Sequence, residues 1–408
     1  MATRFHRLLK GTDTKPGFLC RIGLPEAEER LLRFARDAIR KELTEAFRRV
    51  GSEAPLHKAF LVEAAYRSDA FLNQLKPAPK FRGQGSHAYH TLNDPVPEYT
   101  PPQQVDLDDG VFLPTSFVAG ERPAIAARAY FKVVEDALEP LCKKEGWTLC
   151  RGAKAKSSCV RILVNSKIHI DLPLYALPDE DYEKAEALAK AMNRGTLAED
   201  AIVLGDAEYL SIPEDHIMLA LRDGTWRRSD PRKLGDWFQA AVARHNPHLR
   251  HVCRYLKAWR DFQWADPEDG ISSITLMATA VRVMDENRTR LDSSREDDAL
   301  LCVAESLPEL LRQRVKNPVV DGEHLDDSWS PETRAGFVVR AETLRAALAS
   351  AMNATQADAV IAQLQGCFGE RVPNDPDLIE VLPSQEAAIL SQPRRFTPAP
   401  VVGRSVSG

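Results

Sequence analysis

The stretch Gly85-Ser86, followed downstream by Asp106-Leu107-Asp108, narrows the folds open to this chain more than any other feature. Two carboxylates at i and i+2 share a side only where the backbone between them is extended, so the second segment reads as a strand with its acids on one face. A glycine-serine turn lets backbone N–H groups close on a triphosphate, because glycine has no side chain in the way. Same-facing carboxylates at this spacing can hold two divalent cations over a phosphoryl group. Gly-Ser is common and Asp-x-Asp is often a solvated turn; in this order, the two together point to nucleotidyl transfer.

A two-metal site needs a third acid. Lys167-Ile168-His169-Ile170-Asp171-Leu172-Pro173 alternates cleanly, with Ile168, Ile170 and Leu172 on one face and His169 and Asp171 on the other. Asp171 is the candidate. In this reading Asp106 and Asp108 bridge two magnesium ions, for which manganese can substitute. One ion holds the donor triphosphate, and the other, shared with Asp171, lowers the pKa of an attacking ribose hydroxyl. Taken alone, Asp171 is equally a strand-end carboxylate facing water. Asp109-Gly110 reads as a turn that points Asp109 away. Ser86 would donate to the β- or γ-phosphate beside the N–H groups of Gly85 and Ser86. Tyr89 would stack on a base, with ordinary packing the equal alternative. Lys257 and Arg254 would bring positive charge from a helix, although a basic helix face is usually just solvated.

The rest of the chain supports two lobes. At 408 residues it can bury a large core. Residues 24–50 read as one helix with Leu32, Ile39, Leu43, Phe47 and Val50 in an apolar stripe, Pro25 in its first turn and Gly51 as its stop. Strand signals fall at Val105 to Phe112 and Val160 to Val164, with a helix near 123–145 between them and an extended, exposed proline-rich loop from Pro95 to Pro102. From Ser229-Asp230-Pro231, which resembles a helix start, helical spacing takes over and runs to about 382. The expected divisions are 1–228, 229–383 and a polar tail, 384–408, that cannot bury enough apolar surface to order itself.

A formal net charge of -5 supplies no global field to gather nucleic acid, so phosphates must meet a local basic pocket. The seven cysteines lack paired spacing and read as reduced thiols. With no signal peptide and no apolar run of about 18 residues, the expectation is a cytoplasmic protein. There is no P-loop, nucleophile elbow or His-Glu-x-x-His. His248, His251 and Cys253 fall on different helix faces, which disfavours zinc.

The chain resembles the bacterial cyclic GMP-AMP synthases of the cGAS/DncV-like nucleotidyltransferase family, in the branch typified by the Vibrio dinucleotide cyclase. The resemblance rests on Gly83-Gln84-Gly85-Ser86 with Tyr89, on Pro101-Pro102-Gln103 leading into Asp106-Leu107-Asp108, and on His169-Ile170-Asp171 with Pro173 and Tyr175. It continues through Ser229-Asp230-Pro231, Asp236-Trp237-Phe238, Cys253-Arg254, Lys257-Ala258-Trp259-Arg260-Asp261 and Ser272-Ser273, in unbroken order over about 80–285.

The resemblance implies an α+β fold: a polymerase-β-like nucleotidyltransferase lobe with a mixed sheet, clasped by a helical C-terminal lobe. The family's metal-binding acids map onto Asp106, Asp108 and Asp171. Its nucleotide contacts map onto Gln84, Gly85, Ser86, Tyr89, Lys257 and Ser273, with Arg161 near the nucleotides and a base contact at Ser229 or Asp230. A guanine-contacting acid falls near Asp321. Such enzymes join ATP and GTP in one site, with magnesium, into a cyclic dinucleotide (here a 3′,3′ cyclic GMP-AMP). That product is an antiphage signal read by a downstream effector such as a phospholipase, and no nucleic-acid activator is expected. Val406-Ser407-Gly408 resembles tails whose last glycine, here Gly408, is joined to targets by a ubiquitin-transfer-like (E1/E2-like) partner. The rival readings are a maker of other cyclic or linear oligonucleotides, including an RNA terminal transferase, and a silent nucleotide-binding regulator.

Overall fold

The computed structural model describes residues 3–49, 78–100, 102–115, 123–178, 217–229, 231–292 and 294–382. Its N-terminal stretch carries a short strand β1 (Thr3–Arg4) and helices α1 (His6–Lys10) and α2 (Phe18–Arg21), before the long α3 (Glu26–Arg49). The apolar stripe expected of α3 is real: Leu32, Ile39, Leu43 and Phe47 are all buried, with Glu26, Glu28 and Glu29 in the first turn where the helix dipole favours acids. Val50 and Gly51 lie outside the described residues.

Next come β2 (Lys80–Gln84), a single turn α4 (Gly85–Ala88), β3 (Val105–Pro114), α5 (Pro123–Glu145), β4 (Thr148–Leu149), β5 (Cys159–Leu163), β6 (Ile168–Leu177), β7 (Met218–Ala220) and β8 (Trp226–Arg228). The strands form one seven-stranded sheet in the order β2-β3-β6-β5-β4, with β7 on β6 and β8 on β7. β3 and β6 run parallel; the other pairs are antiparallel. One face is covered by α3 and α5. Val105, Leu107, Val111 and Leu113 of β3 and Ile168, Ile170, Leu172 and Leu174 of β6 turn into that layer, against Ile39, Phe47, Tyr130 and Val134. The same alternation leaves the even positions of β3 and the odd positions of β6 on the opposite face.

The second unit contains α6 (Pro231–His245), α7 (Pro247–Gln263), α8 (Ser273–Glu286), α9 (Glu296–Arg312), α10 (Pro331–Asn353), α11 (Ala357–Phe368) and β9 (Glu380–Val381). α7 is its centre, with Val252, Tyr255, Leu256 and Trp259 fully or almost fully buried, as their helical spacing predicts.

Four expectations need correction. The division at 228 is wrong for the N-terminus: Phe5, Leu8, Leu9, Phe18 and Ile22 pack in the helical core, and β1 pairs with β9. These residues are strongly apolar and find their burial there, not against the sheet. Asp109-Gly110 is no turn, because β3 continues to Pro114 between two partners, where Asp109 pairs with Gly83. The proline-rich loop is only partly exposed: Pro97, Glu98 and Thr100 face solvent, but Pro95 and Val96 are buried. The helical character also ends before 382, giving way to β9. All seven cysteines are free thiols. Among the described residues no helix is long and apolar enough to cross a membrane.

Candidate active site

The parallel register of β3 and β6 sets Asp106 beside His169 and Asp108 beside Asp171. Because the core takes Val105, Leu107, Ile168, Ile170 and Leu172, all four polar side chains fall on the uncovered face. Antiparallel β5 adds Arg161 directly opposite Asp171. Its guanidinium donates to both carboxylate oxygens of Asp171, at 2.7 and 2.6 Å, the bidentate geometry that suits this pair. His169 Nε2 stands 3.1 Å from Asp106 Oδ1. Ligand atoms of Asp106, His169 and Asp171 all lie within 4.8 Å of one another.

Negative charge outweighs positive at this spot. The Asp108 carboxyl is pushed up to about 8, first by burial and then by Asp106 and Asp171, with Arg161 opposing. Crowded acids resist ionising together in a low dielectric unless a cation joins them. Asp106 Oδ1 is moreover buried without a hydrogen-bond partner. A divalent cation fits this donor set: acidic oxygens in surplus, one of them vacant. Asp109 shows the contrast. On the core face it is 0% exposed, and Arg40 of α3 donates to both its oxygens, at 2.7 and 2.6 Å. It is a structural acid.

The turn into α4 is shaped around Asp108. Gly85 has a φ of +64°, and a Cβ there would lie 2.2 Å from Asp108 Oδ2. Glycine is required both for the left-handed backbone and for the close approach. Gln84 is opposite Asp108 on β2; its Oε1 accepts from the Tyr175 hydroxyl at 3.2 Å, and its Nε2 has no partner. Gly110 makes that space, since a Cβ there would stand 2.1 Å from Gln84 Nε2. Ser229 also hydrogen-bonds Tyr175.

A cleft of about 640 Å³ opens beside the acid cluster, with Ser86, Asp106, Arg161, His169, Lys257 and Ser273 among its walls. Its helical side comes from α7. Arg250, Arg254 and Lys257 are not a solvated basic face: they turn onto the segment that joins α4 to β3. Arg250 donates to the Tyr89 carbonyl at 3.2 Å. Arg254 donates to Asn93 Oδ1 at 2.9 Å, and Asn93 returns a bond to the Arg254 carbonyl at 2.8 Å. Lys257 donates to the Thr91 carbonyl at 2.8 Å. Burial, reinforced by Arg260, lowers its ammonium to about 8. Ser272 caps α8 by accepting from the Thr275 N–H, while Ser273 Oγ accepts from Arg260 at 2.9 Å.

Tyr89 is packed rather than poised over the cleft. It is 8% exposed, its ring centroid is 5.9 Å from that of Phe238, and burial raises its hydroxyl to about 12. Asp321 is exposed beyond α9. Asp230 and Gly408 lie outside the described residues. His251 Nδ1 engages Glu296 at 2.6 Å, and no metal group forms with His248 and Cys253 among the described residues.

Two residues that shape this region carry little local signal in the sequence. The alternation puts His169 on the Asp171 face, and that placement is itself the signal. Gln103 is 5% exposed. Its Nε2 caps the end of α7, donating to the carbonyls of Asp261, Trp264 and Ala265 at 2.7, 2.9 and 3.3 Å. Nothing local in Pro101-Pro102-Gln103 reveals a partner so distant in sequence.

Comparison with known proteins agrees with this architecture on both units. Residues 79–175 match the profile of the nucleotidyltransferase domain of DncV-like cyclic GMP-AMP synthases, and residues 246–381 match that of the cyclic GMP-AMP synthase C-terminal domain. The chain is 31% identical over 344 residues to a cyclic GMP-AMP synthase of Vibrio cholerae, covering 80% of this chain and 76% of the relative. It is 32% identical over 312 residues to one from Escherichia coli, covering 74% and 69%. The solved Vibrio cholerae DncV cyclic AMP-GMP synthase in complex with the linear intermediate 5′ pppA(3′,5′)pG superposes with a TM-score of 0.73 at 27% identity, covering 94% of this chain and 100% of that one. The same enzyme with nonhydrolyzable GTP gives 0.70 at 26%, covering 93% and 99%. Alike in sequence across both units and in three dimensions along almost its whole length, the chain belongs to the DncV-like cyclic GMP-AMP synthase family of nucleotidyltransferases.

Proposed function

We propose that this protein joins ATP and GTP into cyclic GMP-AMP by two successive nucleotidyl transfers in the cleft between its sheet and α7. The observation that carries the proposal is one cleft lined by Asp106 of the acid cluster and by Ser86 on the sheet side, and by Lys257 and Ser273 on the helical side. In each transfer a ribose 3′ oxygen bonds to the α-phosphorus of the other nucleotide while the bond to pyrophosphate breaks. Gly85 and Ser86 offer N–H and hydroxyl donors to the donor phosphates. Lys257 brings a buried ammonium to the same charge, and Arg260 holds the Ser273 hydroxyl in place. Magnesium ions bound by Asp106, Asp108 and Asp171, two in number on this reading, would neutralise phosphate charge and lower the pKa of the attacking hydroxyl. Arg161 fixes the Asp171 carboxylate in orientation. Gln84, Ser229 and Asp230 remain candidates for the base contacts.

On the same reading the enzyme works in the cytoplasm, its 3′,3′-linked product reaches an effector in antiphage defence, and Gly408 is open to conjugation by a ubiquitin-transfer-like partner. The test is to incubate the purified protein with magnesium and α-labelled ATP plus GTP, treat with phosphatase, and identify products by mass spectrometry. A phosphatase-resistant cyclic GMP-AMP is expected, and Asp106→Ala and Asp171→Ala should abolish it while the protein stays folded. Linear products would replace the cyclase reading with that of an oligonucleotide maker. Wild-type turnover in either variant would refute the acid assignment.

A further inference from the structure

One buried side chain faces the same cleft with no established task. His169 is 5% exposed, and neither of its ring nitrogens makes a hydrogen bond. A buried imidazole normally finds a partner for each nitrogen, because leaving them bare costs their lost hydration. Here the nearest acid oxygen is Asp106 Oδ1, 3.1 Å from Nε2, and that oxygen is also without a hydrogen bond. The two atoms are close but not aligned for a hydrogen bond with one another, and one ligand atom from each of Asp106, His169 and Asp171 lies within 4.8 Å of the others. An ion with donor distances of roughly 2.0–2.2 Å spans such a group after small side-chain rotations. Arg161 takes one lone pair from each Asp171 oxygen, and a carboxylate oxygen has another to give.

We infer that His169 supplies a nitrogen ligand to the divalent cation bound by Asp106 and Asp171, and so tilts this site from magnesium toward manganese. Magnesium demands a near-ideal shell of oxygens, whereas imidazole suits the first-row transition ions and carboxylate suits both. The inference deepens the nucleotidyltransferase reading by assigning a ligand and a metal preference to the same acids.

The experiment uses the full chain without nucleotide, loaded with one equivalent of manganese. Electron spin echo envelope modulation should show a coupled imidazole nitrogen. Labelling the histidines with nitrogen-15 should convert that signal, a readout that needs no variant. His169→Asn and His169→Ala should both remove it, whereas His248→Gln, which changes a buried histidine of α7, should not. Even outer-shell changes cost about 10–100-fold in metal affinity, so the two His169 variants should weaken manganese binding by at least about tenfold. Magnesium affinity, measured by competition, should move by less than about twofold. A wild-type spectrum with bound manganese and no nitrogen coupling overturns the inference, as does an equal loss of both ions. Cyclic product without nitrogen coupling would leave the proposed function standing and remove this ligand; coupling without product would do the reverse.

Discussion

At position 85 a methyl group has nowhere to go. The backbone is left-handed, and the Cβ position is 2.2 Å from Asp108 Oδ2. Gly85→Ala must therefore shift either the turn or the acid, at a backbone cost of about 1–2 kcal/mol. We expect nucleotidyl transfer to be lost, with the melting temperature lowered by only a few degrees; dinucleotide synthesis and thermal melting check this together. Lys257 makes a second prediction. In the unfolded chain it stays protonated to about its ordinary 10.5, but in the folded cleft burial holds it near 8. Between those values the unfolded state binds more protons, so this group's contribution to folding stability increases as pH rises through that window. Nucleotide binding has the opposite sign, since a triphosphate favours the charged ammonium. ATP affinity should fall as pH rises through about 8, with proton uptake on binding. Calorimetry in buffers of different ionisation enthalpy measures both, and Lys257→Arg should abolish the step because arginine stays charged.

The elements that form the cleft are joined by few but specific bonds. The segment between α4 and β3 meets α7 through Thr91, Asn93 and Gln103, and Tyr99 donates to the Phe262 carbonyl at 2.6 Å. Gln103 matters most, because carbonyls at a helix end have no partner within the helix. Gln103→Leu fills the same space but leaves those acceptors bare, a loss of about 1–3 kcal/mol. Urea unfolding should show a lower midpoint with an unchanged slope, and the retained slope would confirm that the fold is kept.

Across the whole molecule, the N-terminal segment belongs to the unit that ends the chain. Phe5, Leu8, Leu9, Phe18 and Ile22 are each 0% exposed, and the Phe5 N–H donates to Asp297 at 2.8 Å. Full burial of each such side chain contributes roughly 1.5–3 kcal/mol, and five of them rival the whole stability of a typical domain, about 5–15 kcal/mol. Removing residues 1–22 should leave the helical unit unfolded or molten while the sheet stays protected. Hydrogen exchange resolved by segment tests this: retained protection in α7 and α9 would show that the N-terminal segment is dispensable.

Period-two alternation around Asp106, Asp108 and Asp171 was enough to place those acids on one face of a sheet, since side-chain direction in a strand is a local property. The stripes of α3 and α7 were legible for the same reason: each element's own period states which side is buried. Long-range pairing was not legible in this way. Asp109 reads as a turn residue until Arg40 is seen across the core. Lys257 reads as a solvated charge until the Thr91 carbonyl is seen beneath it, and Phe5 reads as part of a first lobe until it is found in the second. Each of these depends on which surfaces meet, a choice made by the free energy of burying apolar area and matching polar groups between elements far apart in the chain. Local periodicity carries no record of that choice, so the shared face of the acids could be read from the sequence, whereas the cleft beside them could not.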